Sequence, residues 1–448
     1  MSRLWCGLLL VGLVVGCGKS KSTDEASQWT AVETESETSA AQSFSERFKS
    51  LTEKAQKDES MQRWDSALKT WQSVVELTIT EFGSDSWQAQ NARLAAKVVN
   101  QRKAFTEADW ASLNQIAKDQ NEAKQCLQSG RIDRALELSA GVIERSTQLW
   151  GGDSHVTANF QLQHAQLLRA AGLFDQAASE LDRVIEKRKQ ILSATHPDYQ
   201  HAIFELGMLY SQIGQTDLAI ERLEQACQAA EQIWGADSND LATAQNELGV
   251  AQFKRGDYDT AESILQSAAK IRRDKLGANS AEYAHSLLNL GVTQMSLKQL
   301  DKAAESLAAA DAIFAQESDN QAHDVRQMQT DVLSNLGTVY LVQQEFDLAE
   351  AAFEKLVKVT GDWLGTEHPV YAGSLFKLAI ALGNQGKYET AEPVMLRSLE
   401  IQRKVLSPQH PDYVRSLRSY AQLLERTGRA NEAKELMASL PEWSKAFR

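Results

Sequence analysis

Apolar residues return along most of the chain at intervals of three and four, not two, which predicts amphipathic helices throughout. The stretch Tyr283-Ala284-His285-Ser286-Leu287-Leu288-Asn289-Leu290-Gly291-Val292 is one such run, and Ala261-Glu262-Ser263-Ile264-Leu265-Gln266-Ser267-Ala268-Ala269-Lys270-Ile271 is another. The helical pattern is itself periodic. A turn that reads Gly256-Asp257-Tyr258-Asp259-Thr260-Ala261 in one copy reads Gly386-Lys387-Tyr388-Glu389-Thr390-Ala391 in another. Equivalent turns begin at Gly130, Gly172, Gly214, Gly256 and Lys298, each 42 residues after the last, and the 42-residue series resumes at Gln344, Gly386 and Gly428. Only the step from Lys298 to Gln344 is longer, at 46, with the excess in the polar stretch Glu317–Asp324. A degenerate ninth copy begins at Gln62. A period of this size describes a stacked array of helix–turn–helix units in place of a compact domain.

Small residues recur at fixed places in the unit. The first helix carries Gly207, Gly249, Gly291, Gly337 and Ala379; the second carries Ala219, Ala261, Ala303, Ala349 and Ala391. A position that stays small in copy after copy predicts close helix–helix approach. The turn glycine supplies a helix stop at which positive φ costs little. Each unit closes on a signature such as Trp150-Gly151, Trp234-Gly235, Leu276-Gly277 or Leu364-Gly365, then a short loop ending at Ser154, His196, Ser238, Ser280, His368 or His410. Pro197, Pro369 and Pro411 follow the three histidines, and proline is at home in the first position of a helix. The serines and histidines therefore read as N-caps, with Asp198, Asp240, Glu282 and Asp412 favouring the positive helix ends.

Taken together, His-Pro-Asp…Leu-Gly…Gly-x-Tyr-x-x-Ala-Glu-Pro…Leu-Glu-Ile…Leu-Gly resembles the 42-residue tetratricopeptide repeat (TPR) of kinesin light chains and their bacterial relatives. His368–Leu406, with Ala391-Glu392-Pro393, carries the likeness best. The resemblance covers residues 108–440 clearly and 46–83 weakly. It implies an all-α fold, a right-handed superhelix (α-solenoid) of about eight to nine helix pairs. Residues 46–107 then form a degenerate N-terminal helical repeat region, 108–440 the superhelix and 441–448 a tail.

The N-terminus has a different character. Leu4 to Val15 is an apolar run too short to span a bilayer, and Val14-Val15-Gly16-Cys17 resembles the lipobox of bacterial lipoproteins. Residues 1–17 are thus expected to be a lipoprotein signal peptide with Cys17 as the acylated residue. Gly18 follows the cysteine where the inner-membrane sorting rule asks for Asp, so the expectation leans to the outer membrane, facing the periplasm. Residues 18–45, rich in Ser, Thr, Glu and Gln, cannot repay their ordering entropy and are expected to form a flexible tether.

A hydrophobic share of 43% suffices for a continuous core, and only six prolines interrupt the chain. The net charge of −13 argues against a nucleic-acid partner, which needs a basic face. Cys126 and Cys227, 101 residues apart, read as two free thiols. No phosphate loop, nucleophile elbow, zinc-binding motif or kinase signature is found, and the recurrent histidines sit one repeat apart, each in its own loop. No catalytic residue, metal, cofactor or small-molecule substrate is therefore expected. Acidic pairs such as Glu221/Glu224 read as solvated faces, and Trp64, Trp71, Trp150, Trp234 and Trp363 read as packing.

What remains is the concave surface, which first helices line in TPR arrays. Its inner positions lie 13, 10, 9, 6 and 2–3 residues before the turn. In the final repeat these are Arg415, Arg418, Ser419, Gln422, Glu425 and Arg426, with Lys377 and Asn384 in the repeat before. Arg415, Arg418, Gln422 and Arg426 share one stripe. Further in lie Asn335, Thr338, Asn289, His285, Asn246, Lys254 and Thr243. Asn289 and Asn335 match the Leu-x-Asn-Leu position that faces the peptide groove in kinesin-light-chain-like repeats; Glu205, Glu247, Lys377 and Ser419 depart from it. An asparagine bonds both backbone groups of an extended ligand, and an arginine grips a carboxylate bidentately. The expected function is a non-catalytic, membrane-anchored adaptor that binds a peptide or partner protein in its groove, with an acidic segment as the ligand the arginine stripe suits. The alternative is a structural protein of the cell envelope that self-associates through array ends or convex face.

Overall fold

A computed structural model of the chain describes residues 39–316 and 323–438. Nineteen α-helices and no strand are present among the described residues. They are α1 (Ser39–Ser60), α2 (Trp64–Phe82), α3 (Trp87–Lys103), α4 (Glu107–Gln128), α5 (Ile132–Trp150), α6 (His155–Ala170), α7 (Phe174–Ile191), α8 (Pro197–Gln212), α9 (Thr216–Trp234) and α10 (Asn239–Arg255). Then follow α11 (Tyr258–Leu276), α12 (Ala281–Ser296), α13 (Leu300–Phe314), α14 (His323–Val342), α15 (Phe346–Leu364), α16 (Pro369–Asn384), α17 (Tyr388–Val405), α18 (Pro411–Arg426) and α19 (Ala430–Ala438). In chain order these are nine helix–turn–helix units, α1/α2 and then α4/α5 to α18/α19, with α3 left over. The expected signal peptide with Cys17 and the tail 441–448 lie outside the described residues. Helix α1 begins at Ser39, ahead of the boundary placed at residue 45.

Two compact units divide between Arg255 and Gly256. Unit 1 holds α1–α10 and unit 2 holds α11–α19. Within each, consecutive helices pack on one another, and first helices of successive pairs also touch: α8 with α10, α12 with α14, α16 with α18. One face of each unit is thus built from first helices alone. Large apolar side chains such as Leu206, Leu209 and Leu223 in unit 1, and Leu307, Leu333 and Phe353 in unit 2, are almost completely buried. Each such burial contributes about 1.5–3 kcal/mol.

The repeating small residues explain how the pairs fit. A Cβ on Gly207 would lie 2.9 Å from Leu223 Cγ, and one on Gly291 would lie 2.6 Å from Leu307 Cγ. On Gly337 it would strike the Phe353 ring. Ala219, Ala261, Ala303, Ala349 and Ala391 are fully buried. The turns adopt left-handed backbone, with Gly256 at φ 91° and Gly386 at 79°. Where the turn residue is not glycine the conformation persists: Gln62, Lys298 and Gln344 have φ of 57°, 60° and 64°, the positive values among described non-glycines. The fold thus overrides residue preference at these three turns.

All six expected caps form. Ser154, Ser238 and Ser280 accept from the amides of Thr157 (3.1 Å), Leu241 (3.2 Å) and Tyr283 (3.3 Å). The Nδ1 atoms of His196, His368 and His410 accept from the amides of Asp198 (3.1 Å), Val370 (3.2 Å) and Asp412 (3.2 Å). Cys126 and Cys227 are free thiols, and burial with the nearby Glu224 and Glu231 pushes the Cys227 thiol up to about 12.

Candidate binding groove

In unit 2 the inner face runs over α12, α14, α16 and α18. Lys377 of α16 is half-buried and donates to Ser334 Oγ of α14. Burial first, then the charge of Arg415, holds its ammonium below the ordinary lysine range, with Asp331 opposing them. Arg415 of α18 is exposed; its guanidinium stands 5.7 Å from the centroid of Phe376 and 2.7 Å from Asp412 Oδ1. Arg418 is half-buried, and its Nε is enclosed without a hydrogen-bond partner. Gln422 is exposed, and Arg426 reaches Gly383 O and Asn384 Oδ1, both at 3.4 Å. The carboxylate facing this group from the neighbouring first helix is Asp331, itself held by Gln327 Nε2 at 3.2 Å and raised by burial. Positive charge here exceeds the negative charge that answers it, and a flat aromatic ring lies beneath it.

The asparagine positions lie on the same unit. Asn289 Nδ2 is 3.4 Å from His285 Nε2, one turn back on α12, and both are half-buried. Burial and the neighbouring Arg272 hold the His285 ring below its ordinary range. Asn335 Nδ2 donates to Asp331 O at 2.9 Å, and Thr338 Oγ1 to Ser334 O at 2.7 Å. Asn246 corrects the expectation. It belongs to unit 1, is fully buried, and donates to Glu247 Oε1 at 3.2 Å, because its position on α10 turns into the packing between helices.

On the inner face of unit 1 the charged groups Glu205 and Lys254 are paired. Glu205 of α8 accepts from Gln166 Nε2 (3.1 Å) and Arg169 Nη1 (2.9 Å) of α6, and His201 Nε2 stands 3.5 Å away. Burial alone would raise the Glu205 carboxyl, but His201, Arg169 and Gln166 outweigh it and hold it below the usual range. Lys254 Nζ of α10 donates to Ser211 O and Oγ of α8, at 2.9 and 3.0 Å. A small hollow remains, lined by Gln200, His201, Phe204, Asp240 and Thr243.

Sequence reading missed three things here. Phe376 was hidden because an aromatic at an inner position looks like packing. The buried set of Arg188, Asn159, His155 and Asp198 was hidden because its members come from three helices. Arg188 Nη2 donates to Asn159 Oδ1 at 2.6 Å and Nη1 to Asp198 O, while His155 Nε2 lies 3.2 Å from Asp198 Oδ2. The odd helix α3 did leave a signal: Gln62 and Gly130 are 68 residues apart, one repeat and one helix more. Among the described residues no cluster of His, Cys, Asp and Glu has a metal-binding arrangement, and no helix is long and apolar enough to cross a membrane.

Residues 156–232, 240–316, 329–392 and 372–439 match the family described as tetratricopeptide repeat. No curated protein matches the chain significantly. Similar solved structures include a putative kinesin light chain with nearly identical TPR-like repeats from Podosopora anserina, 23% identical over 47% of this chain and 97% of that one, TM-score 0.42. BtubC (BKLC) from P. vanneervenii is 21% identical over 57% and 93%, TM-score 0.43. A Rap protein complexed with competence and sporulation factor is 14% identical over 83% and 99%, TM-score 0.45. The repeat matches cover more than half of the chain and fall on the helix pairs described above, and the chain belongs to the tetratricopeptide repeat family, whose fold is a protein-interaction scaffold.

Proposed function

We propose that this protein is a non-catalytic adaptor, tethered to the cell envelope through a lipid on Cys17, whose unit 2 groove takes an acidic segment of a partner protein. The observation that carries the reading is the set of Lys377, Arg415, Arg418 and Arg426 on the first helices α16 and α18, with Arg415 over the Phe376 ring, in a chain of net charge −13. Such a local positive well steers and orients carboxylates, with bidentate arginine contacts adding geometry. Asn335 and Thr338 on α14 extend the polar lining along the groove, and Asn289 with His285 continues it on α12.

The test is capture of partners from a membrane extract by the full chain, at low and moderate salt. The double variant Arg415→Glu with Arg418→Glu should lose the partner, and wild-type capture should weaken as salt rises, because exposed charges are screened over about 8–10 Å. Equal capture by both forms at both salts would return the stripe to a soluble end face. Cys17→Ser should move the protein into the soluble fraction; unchanged fractionation and mass would remove the anchor from this reading. Concentration-dependent association, lost on changes in the end repeats, would favour the envelope-assembly alternative.

A further inference from the structure

Helix α3 belongs to no pair. It packs on α2, and its other side chains reach places far along the chain. The Trp87 ring meets Trp234, the last residue of α9, edge to face at a centroid distance of 5.3 Å. Gln90 Oε1 accepts from the Ser193 amide at 3.0 Å, and Asn91 Oδ1 lies 3.0 Å from His196 Nε2, both in the loop from α7 to α8. Val98 shares a buried cluster with Trp150, which ends α5, and with Val156 and Phe160, which begin α6. These partners are three successive junctions, each joining the second helix of one pair to the first helix of the next. Residues 87–98 of a helix span about 16 Å, and they meet the junctions in reverse order of the chain.

We propose that α3 is a strap that clamps three successive junctions of unit 1 and so fixes the curvature of the inner face lined by α6, α8 and α10. Neighbouring units in a repeat array contact only each other, so curvature adjusts by small rotations at every junction. A single rigid helix held at three junctions, by a ring contact, two hydrogen bonds and an apolar cluster, removes that freedom. His196 makes the lock specific. Its Nδ1 accepts the Asp198 amide, so in the neutral ring the proton sits on Nε2 and is donated to Asn91. Both ring nitrogens are used, one for the helix cap and one for the strap. His196 is fully buried, whereas the His410 side chain, an equivalent cap in unit 2, is 40% exposed. Leu192 is 6% exposed, but its counterpart in unit 2, Leu276, is 41% exposed.

The proposal does not depend on the acidic-partner reading, and its test uses no ligand. Hydrogen exchange is followed in the full chain with Trp87→Ala and Asn91→Leu combined. Amides of residues 193–203 and 235–243 should exchange at least about tenfold faster, while those of 281–296 in unit 2 keep their wild-type rate. Spin labels on Ala170 of α6 and Val250 of α10, with the native cysteines replaced, should give a broader distance distribution in the variant. Wild-type exchange at both segments, or an unchanged distribution, would overturn the strap. Should the double variant unfold unit 1, the single changes decide. Asn91→Asp keeps an acceptor for His196 and should exchange like the wild type, while Asn91→Leu should be fast. Equal acceleration in those two would overturn the lock.

Discussion

Nine residues before its turn, α8 carries Glu205; nine before its own, α16 carries Lys377. Glu205 is met by Gln166, Arg169 and His201, so the acid that unit 1 buries is answered inside unit 1. Lys377 donates to the neutral Ser334, and the opposing pull of Asp331 is outweighed by burial and by the charge of Arg415, itself paired with Asp412. The junction after the second helix differs in the same sense: Leu192 in unit 1, beside α3, is 6% exposed, while its counterpart Leu276 in unit 2 is 41% exposed. One repeat therefore yields two surfaces, one whose inner charges are paired with neighbouring helices and one that carries more positive charge than the carboxylates beside it balance. Where first-helix residues pair across neighbouring units, a groove is stiff and saturated; where they repeat one sign, it is open to a ligand.

The severest way to break the closed side is Arg188→Ala. Arg188 is almost fully buried and ties α7 to Asn159 of α6 and to the first turn of α8. Leaving those partners unanswered beside Asp198 should cost about 3–5 kcal/mol in chemical denaturation. Arg272 occupies the same place in unit 2 and meets Glu282 O at 3.0 Å and Ser286 Oγ at 2.8 Å. Arg272→Ala should cost less, because Glu282, which stands where Asp198 stands in unit 1, is exposed to solvent while Asp198 is buried. Equal losses would erase that part of the contrast.

Acid should act on the strap next. Burial, then His155 and Arg188, push the His196 ring down to about 4 against the pull of Asp198. The folded state then binds fewer protons than the unfolded chain between about pH 6.5 and 4, so stability falls as pH drops through that window, by at most ~3 kcal/mol. Asp198, held below the ordinary aspartate range in spite of its burial, adds a loss only at lower pH. The measurement is the denaturation midpoint from pH 7 to 4.5, for wild type and His196→Gln; a slope unchanged by the substitution would remove His196 from the account.

A smaller exchange tests the grooves directly. Glu205→Gln should cost about 1–2 kcal/mol by weakening the contacts from Arg169 and His201. Ser419→Glu places an acid at the matching position of α18, beside Arg415 and Arg418. It should leave the melting temperature unchanged or slightly raised and weaken partner capture. Capture at wild-type strength would mean that the positive stripe is not what the partner reads. The smallest effect is expected at the turns: Gln344→Gly relieves a left-handed residue and should stabilise unit 2 by about 1 kcal/mol in thermal melts.

The repeat, its turns and its caps were legible because each depends on neighbours close in sequence. A glycine that stops a helix, a serine or histidine that caps the next and an alanine under a crossing helix all act within one unit. Lys298 and Gln344 could be placed as turn residues because the spacing located them, although neither prefers the conformation. The groove was legible only as a set of positions. Asn246 turns inward because it stands ten residues before its turn, where Leu162, Phe204 and Leu288 are buried in their own copies, while Asn335 stands nine before its own and remains half-buried. Phe376 beneath Arg415, and Arg169 opposite Glu205, are pairings between units, where the repeat says which positions meet but not which side chains answer each other. The strap was least legible, since α3 breaks the period and its partners share no motif with it.

The distance along the chain between Asn91 and His196, 105 residues, also sets an order of events during synthesis. At about 5–20 residues per second, α3 leaves the ribosome roughly 5–20 s before the loop it must grip exists. In that interval Trp87, Gln90 and Asn91 have no destination, while each helix pair made afterwards can close as soon as its own second helix appears. The strap therefore waits for the rest of unit 1, and a nascent chain halted before residue 193 holds folded pairs with only the Val98 end of the clamp provided with its partners.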